Sequence, residues 1–389
     1  SDLAGRTPAE IVLDVAADMD RETADRQPVS PKRRTFFNSG GGMPWTLPDG
    51  VRAVWNGEGE WKITLRVFRD LGIAFGVALL LLLAALWLLT PAKLESSIAA
   101  VPVPADLEAW ISQSESEAAS RFGLVPGTEK RIRWFTENEK SPYAVLYLHG
   151  FSATRQETAP LAEYVADALG ANLFETRLRG HGRERDALSG VRAEDWLADA
   201  IEALTVAARL GEKVVIIGTS TGATLAAAML GHPAMEVVDT IVMLSPNIAP
   251  RDPAAAWLTR PAGPLLARIL AGETRSWQPH NEAQGLYWST SYPMAAAVEM
   301  MRLVDLANRH LPARISQRLL MFYSKNDEVV SPTAALAAYE DTDAPQKAVI
   351  EIENPGDPSH HVLAGDVLSA SKTRQIANNI VEFIRRPAP

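Results

Sequence analysis

The chain has 389 residues, 47% apolar and 22% charged, the proportions of a globular protein rather than a wholly disordered or collagen-like one. It contains no cysteine, which removes disulfides, thiolate nucleophiles, iron–sulfur ligation and cysteine zinc sites together. A net charge of −9 argues against a broad basic surface for nucleic acid, and seven histidines without an H-E-x-x-H pattern argue against a zinc hydrolase.

Residues 1–70 form a polar, Pro- and Gly-rich segment with helical patterning only over 8–25, too poor in apolar residues to build a core. They carry ten Lys/Arg and eleven Asp/Glu, so the acidic excess belongs to the C-terminal body, expected to be a soluble domain. The run LGIAFGVALLLLLAALWLL follows, Leu71 to Leu89, with no charge between Asp70 and Lys93. Nineteen helical residues span about 29 Å, close to the hydrocarbon core of a bilayer. A buried core helix rarely holds such unbroken leucines, and the apolar part of a secretory signal is shorter and nearer the N-terminus. Residues 71–90 are therefore read as a single transmembrane helix. Arg52, Lys62, Arg66 and Arg69 precede it and only Lys93 follows closely. The positive-inside rule then puts the N-terminus in the cytoplasm, making this a single-pass membrane protein with its body on the opposite side.

Residues 91–122 are Pro-rich and then helical from about Asp106, connecting membrane to body. From 123 onward the pattern alternates between strands and helices. Apolar, β-branched or aromatic runs occur at 131–135, 143–149, 171–176, 213–218, 240–245, 318–324 and 347–352. Several are unbroken, as expected of strands covered on both faces, and amphipathic stretches such as 192–210 separate them. This predicts an α/β fold with a mostly parallel sheet and helices on both sides over 123–389. The stretch at about 246–317 is too long for a connection. It shows helical periodicity at 254–271 and 293–310 and reads as an inserted helical cap.

The chemistry-bearing motif is GTSTG, Gly218 to Gly222, between the strand KVVIIG and the small-residue run ATLAAAML. A nucleophile elbow has this context: the serine sits on a sharp strand-to-helix turn, flanked by glycines because side chains there would collide with strand and helix. A phosphate-binding turn is the alternative, but no G-x-x-x-x-G-K-[ST] or G-x-G-x-x-G occurs. Ser220 needs a base. The loop GDPSHHVLAGD after the last strand offers His360 and His361, which chemistry alone does not separate. A carboxylate must orient the imidazole, and Asp327, after the strand RLLMFYS, falls on the same sheet edge, though it is also good turn chemistry. HGF at 149–151 follows a strand, so the backbone N–H of Phe151 can serve an oxyanion, with the N–H of Thr221 at the elbow helix N-terminus as the second donor. His149 reads as a brace for that loop rather than a base.

With HGF, RLRGHG (177–182), GTSTG, SKNDEVV (324–330) and SHHV (359–362) in order, residues 123–389 resemble the α/β-hydrolases, especially the bacterial carboxylesterase and monoacylglycerol-lipase-like branch. That resemblance implies a catalytic set of Ser220, Asp327 and His361, with His361 chosen because relatives read S-x-H-V. It also implies a lid over an acyl pocket at 246–317. Candidate pocket residues are Trp257, Leu258, Leu265, Leu266, Trp277, Tyr287, Trp288 and Met294, for which packing of the cap on the body is the plainer role. Thr219 and Thr221 depart from many relatives and leave the subfamily open. The expected activity is hydrolysis of carboxylic esters, small-molecule substrates such as short-chain esters, monoacylglycerols or lysophospholipids, with no metal or organic cofactor. An amidase, peptidase or perhydrolase on the same residues is the alternative, as is a membrane-tethered interaction protein. Residues 36–78 separately resemble a fragment of resistance-nodulation-division efflux permeases. A permease needs many spanning helices, so the segment reads as a remnant without transport activity. There the equivalent preceding segment lies outside, which implies the opposite orientation to the charge rule.

Overall fold

A computed structural model of the chain describes residues 60–95, 102–311 and 314–387. The N-terminal segment up to residue 59, with its expected helix at 8–25 and most of the permease-like stretch, lies outside the described residues. The chain divides into two units, Ser1–Ala85 and Leu86–Pro389.

Helix α1, Glu60–Leu88, begins eleven residues before the apolar run, because WKITLRVFRD continues the same helical stretch upstream of Leu71. Over Arg66–Leu88 its mean hydropathy is 2.6, and the side chains Leu71, Phe75, Leu80 and Trp87 stand exposed. The helix is long and apolar enough to cross a membrane.

The second unit holds a seven-stranded sheet. In chain order its strands are β1 Arg131–Arg133, β2 Ser141–Leu148, β3 Asn172–Glu175, β4 Gly211–Thr219, β5 Val238–Leu244, β8 Arg318–Tyr323 and β9 Lys347–Glu351. They are arranged β1-β3-β2-β4-β5-β8-β9, with β1 antiparallel to β3 and every other pair parallel. All seven apolar runs read from the sequence supply strands. Successive side chains point to opposite faces, and both faces are buried. Ala144, Leu146, Leu148, Val214 and Ile216 pack on one side with α4 (Ala193–Leu210) and α5 (Thr221–Ala228). Val145, Tyr147, Val215 and Ile217 pack on the other with α3 (Leu161–Leu169) and α9 (Ala370–Arg385). Two-sided burial is why these strands are unbroken apolar runs. The register pairs Leu148 with Gly218, Thr219 with Leu244, Leu244 with Phe322 and Tyr323 with Glu351, so the carboxyl ends of five strands share one edge.

Helix α2, Leu107–Phe122, starts at Asp106, whose side chain caps it by accepting from Ala109 N. It joins the body through buried Leu107 and Ile111 and a two-pronged pair in which Arg177 Nε and Nη2 donate to Glu115 at 2.7 and 2.8 Å.

The stretch at 246–317 contains a 3-10 turn at Pro253–Thr259, α6 (Gly263–Ala271), α7 (Glu282–Tyr287), α8 (Met294–His310) and an antiparallel pair, β6 (Thr274–Ser276) with β7 (Ser291–Pro293). The single periodicity read over 254–271 is thus broken at Arg260–Ala262, around Pro261, and Ala262 adopts a positive φ. Of the candidate pocket residues, Trp288 and Met294 are buried, whereas Trp257, Leu265 and Leu266 are exposed. Helix α8 belongs to the core through Leu303, Leu306 and Ala307.

Arg302 on α8 is 4% exposed and ties three segments together. Its Nε donates to Ala92 O at 2.8 Å, Nη1 donates to Glu194 Oε2 at 3.0 Å, and Glu299 is a further partner. Arg309 donates to Leu94 O, and Leu94 is buried. Against partial burial, the Arg302 guanidinium holds the Glu194 carboxyl well below the usual range. Replacing a buried cation that holds two carboxylates leaves those charges facing each other. Arg302→Met is expected to lower the stability of the detergent-solubilised chain by about 2–4 kcal/mol. Arg268→Met, which removes an exposed pair with Glu273, is expected to change it by less than about 0.5 kcal/mol. Thermal and urea unfolding compare the two.

Candidate active site

Strand β4 ends at Thr219, α5 begins at Thr221, and Ser220 between them has φ 52° and ψ −114°. A non-glycine residue in such a conformation costs on the order of 1–3 kcal/mol and persists only where its surroundings enforce it. Here Ser220 N donates to Leu244 O at 2.8 Å, and the turn is packed from both sides. A Cβ on Gly222 would stand 2.0 Å from Leu148 O, and one on Gly218 would stand 2.6 Å from Ala223 N. Only glycine admits this approach of helix to strands, which is the physical content of the GTSTG spacing.

Asp327 lies in the turn after β8 and is almost wholly buried. Its Oδ1 accepts from the backbone N–H groups of Val329 at 2.8 Å and Val330 at 2.9 Å. Its Oδ2 accepts from His361 Nδ1 at 2.8 Å. The turn role and the histidine-orienting geometry, alternatives from sequence alone, are both realised by one carboxylate. With Nδ1 committed to Asp327, only Nε2 of His361 is left to handle a proton. Burial lowers the His361 pKa, but the neighbouring carboxylates of Asp327, Glu157 and Asp357 outweigh it, and the net shift is upward. His360 adopts φ 56°, and its Nδ1 is buried with no hydrogen-bond partner among the described residues.

The loop carrying His361 is held by residues that sequence reasoning missed. Asp357 Oδ2 accepts from His361 N at 3.0 Å, Val362 N at 2.8 Å and Ser359 Oγ at 2.6 Å. Ser245 Oγ, just past β5, donates to His361 O at 2.7 Å. Since Ser220 N is bonded to Leu244 O, the serine backbone and the histidine backbone are anchored on consecutive residues of one strand end. Asp357 carries no sequence signal apart from turn chemistry, and Ser245 carries none.

The HGF loop is fixed by buried side chains. His149 Nδ1 donates to Gly150 O at 2.9 Å, and its Nε2 accepts from Leu178 N at 3.1 Å. Burial lowers the His149 pKa to about 4, so the ring is a neutral brace. Ser152 N donates to His181 Nε2 at 3.1 Å, and Gly150 N donates to Glu157 Oε2 at 2.7 Å. Ala153 N donates to Gly150 O at 3.3 Å. Within Gly150–Ala153, the Phe151 N–H is thus the backbone donor without an acceptor among the described residues, and Thr221 N, first in α5, is another. Backbone N–H groups of this kind, one in the HGF loop and one directly after the strained serine, are the donors that can stabilise negative charge on an oxygen. Trp288 of the cap packs against Ala153 and Val362, next to both loops. Among the described residues, no group of three or more His, Asp or Glu side chains is placed to hold a metal ion.

Comparison with known proteins identifies the family and the fold. Residues 139–355 match the family model of the serine aminopeptidases S33 (Hydrolase_4). A thermostable monoacylglycerol lipase of Bacillus sp. (strain H-257) is 28% identical over 229 residues, covering 59% of this chain and 86% of that protein. Among solved structures, a metagenome-derived lipolytic enzyme from the work on LipS and LipT superposes with a TM-score of 0.56 at 22% identity, over 67% of this chain and 99% of that one. A soluble variant of monoglyceride lipase from Saccharomyces cerevisiae gives 0.50 at 12% identity, over 66% and 90%. The chain belongs to the serine aminopeptidase S33 (Hydrolase_4) family and has the α/β-hydrolase fold.

Proposed function

We propose that the chain hydrolyses carboxylic esters through an acyl-enzyme on Ser220. Ser220 Oγ attacks the ester carbonyl carbon as its proton passes to His361 Nε2, and Asp327 holds the ring and stabilises the imidazolium. The carbonyl oxygen, now negative, accepts from the N–H groups of Phe151 and Thr221. The intermediate collapses, the alcohol leaves with the proton from His361, and a water activated by the same imidazole releases the acid. The observation that carries this reading is the 2.8 Å bond between Asp327 Oδ2 and His361 Nδ1, on the sheet edge where Ser220 occupies its strained turn.

Ser220→Ala is expected to reduce turnover of a p-nitrophenyl ester by about 10⁴-fold or more while the protein stays folded, and to abolish labelling by a fluorophosphonate. Retained turnover would overturn the assignment. The upward shift of His361 means that kcat/KM falls as pH drops through a value above the ordinary 6.5 of an imidazole. A pH profile of the wild-type chain reads it directly.

For the substrate we infer medium-chain esters such as monoacylglycerols. Support comes from the lipases among the relatives and from the apolar Trp288 and Met294 of the cap. A rate profile over acyl length, using 1-monoacylglycerols, should peak beyond the shortest chains. The family description favours one second reading, so aminoacyl p-nitroanilides belong in the same assay; faster cleavage of the amides would replace the ester reading.

We further infer that α1 anchors the chain in a bacterial inner membrane with the catalytic unit in the periplasm. The charge asymmetry around the helix supports this side, with Arg66 and Arg69 before the apolar run and only Lys93 closely after it. Because the chain has no cysteine, one Cys introduced at exposed Glu273 reports the side. Labelling of intact cells by a membrane-impermeant maleimide is expected; labelling only after lysis would place the body in the cytoplasm.

A further inference from the structure

One buried carboxylate stands beside the candidate site without a part in the steps above. Glu157 closes a single 3-10 turn, Arg155–Glu157, and is 2% exposed. Its Oε2 accepts from Gly150 N at 2.7 Å and from the Tyr147 hydroxyl at 3.2 Å. Gly150 is the residue before Phe151, and the approach is so close that a Cβ on Gly150 would lie 2.7 Å from Glu157 Oε1. The Tyr147 hydroxyl is also 3.2 Å from Thr219 Oγ1, on the residue before Ser220. One carboxylate therefore connects the backbone of the HGF loop to the last residue of β4.

A buried acid placed merely to fill space would be an expensive choice, since an apolar side chain does that without desolvation. Glu157 keeps two donors in a fixed direction, which an apolar residue could not. Resting on the ester-hydrolase reading, we propose that Glu157 is a positioning residue: its carboxylate fixes the Gly150 peptide, and so the aim of the Phe151 N–H, while its negative charge supports the imidazolium that forms on His361.

The groups facing it define the electrostatics. From β2 comes Tyr147, whose hydroxyl burial pushes well above its ordinary range, so it stays a donor. The loop after β9 packs on this turn so closely that a Cβ on Gly365 would lie 2.5 Å from Glu157 O. From it come His361, whose charge favours the ionised carboxylate, and Asp357, whose charge opposes it. On its own turn, Arg155 is directed away, with Nε donating to Glu129 O and Nη1 3.8 Å from Glu175. Burial dominates and pushes Glu157 up to about 7. The coupling is reciprocal, and Glu157 is one of the carboxylates that raise His361. Neutralising Glu157 must therefore lower the apparent pKa of the base.

The test is a pH profile of the full chain with p-nitrophenyl butyrate. In Glu157→Gln, which keeps an acceptor but has no charge, the acid limb of kcat/KM should move down by about half a pH unit or more. In Glu157→Ala, kcat should fall about a hundredfold with KM within about threefold, as for loss of an aimed oxyanion donor. Tyr147→Phe removes a donor that favours the charged carboxylate and should shift the limb in the same direction by less. It reads the coupling even if Glu157→Gln does not fold. A folded Glu157→Gln enzyme whose acid limb coincides with wild type would overturn the charge role, and a Glu157→Ala enzyme with wild-type kcat would overturn the positioning role. Fluorophosphonate labelling of the wild-type Ser220 is run alongside. Absence of both labelling and turnover defeats the ester-hydrolase reading itself, whereas a labelled, active enzyme with an unmoved limb defeats this inference alone.

Discussion

Burying a carboxylate is among the costliest acts in a folded chain, and it is tolerated where donors replace the lost water. Asp327 meets that condition with two backbone N–H groups and one imidazole N–H. The arrangement is directional. With Oδ1 spent on the turn, Oδ2 is left for one partner, and the His361 ring can meet it only through Nδ1, which fixes the tautomer. Asp357 and Ser245 then hold the His361 backbone from opposite sides, so the ring is located by its own loop as well as by its partner. Removing Asp327 would free the ring and expose an unpaired polar cluster in the interior, which is why the pair and the loop stand or fall together.

The sheet supplies what such a loop needs. Four of the nine non-glycine residues with positive φ among the described residues lie in loops at the carboxyl edge: Ser152, Ser220, Ser245 and His360, with φ of 64°, 52°, 43° and 56°. Each is a local strain that would relax in an isolated loop. The β2, β4, β5 and β8 strands beneath them are paired in register and buried on both faces, and that core opposes the relaxation. The two-sided core makes the fold, and the same core enforces the strained turns.

Much of this was legible in the sequence, for reasons that the structure makes plain. A strand covered on both faces must be apolar at every position, so 143–149, 213–218 and 240–245 announced themselves. The elbow was legible because Gly218 and Gly222 are required by contact with Ala223 and Leu148, a steric demand that leaves a fixed spacing. Burial of single polar residues was not legible. Glu157 in TRQETAP and Asp357 in GDPSHH look like solvated loop charges, since nothing local records that a loop from elsewhere will enclose them. His360 and His361 could not be separated by composition. The difference between them is backbone direction, with His360 in a left-handed conformation and His361 turned onto Asp327. The cap was read as long helical stretches, but Pro261 divides the first, and whether Trp257 or Leu265 faces inward depends on docking that periodicity does not encode.

That docking distinguishes two parts of the cap. Helix α8 is fastened throughout: Arg302 and Arg309 grip the strap at Ala92 and Leu94, Ala193 N donates to Glu299 Oε2 at 2.9 Å, and Leu303 and Leu306 are core residues. Trp288 is seated on Ala153 and Val362, with Ser289 N donating to Ser152 O at 2.7 Å. Moving α8 would break its bonds to the strap and to Ala193, and moving Trp288 would strain the Ser289–Ser152 bond next to the HGF loop. The stretch 253–276 differs, with Trp257, Leu265, Leu266, Ile269 and Leu270 all exposed and few side-chain bonds to the body. Segments with little buried apolar surface open at the lowest free energy. Of the cap, 253–276 is therefore the part that opens at the lowest free energy, while α8 and Trp288 are held by their core contacts.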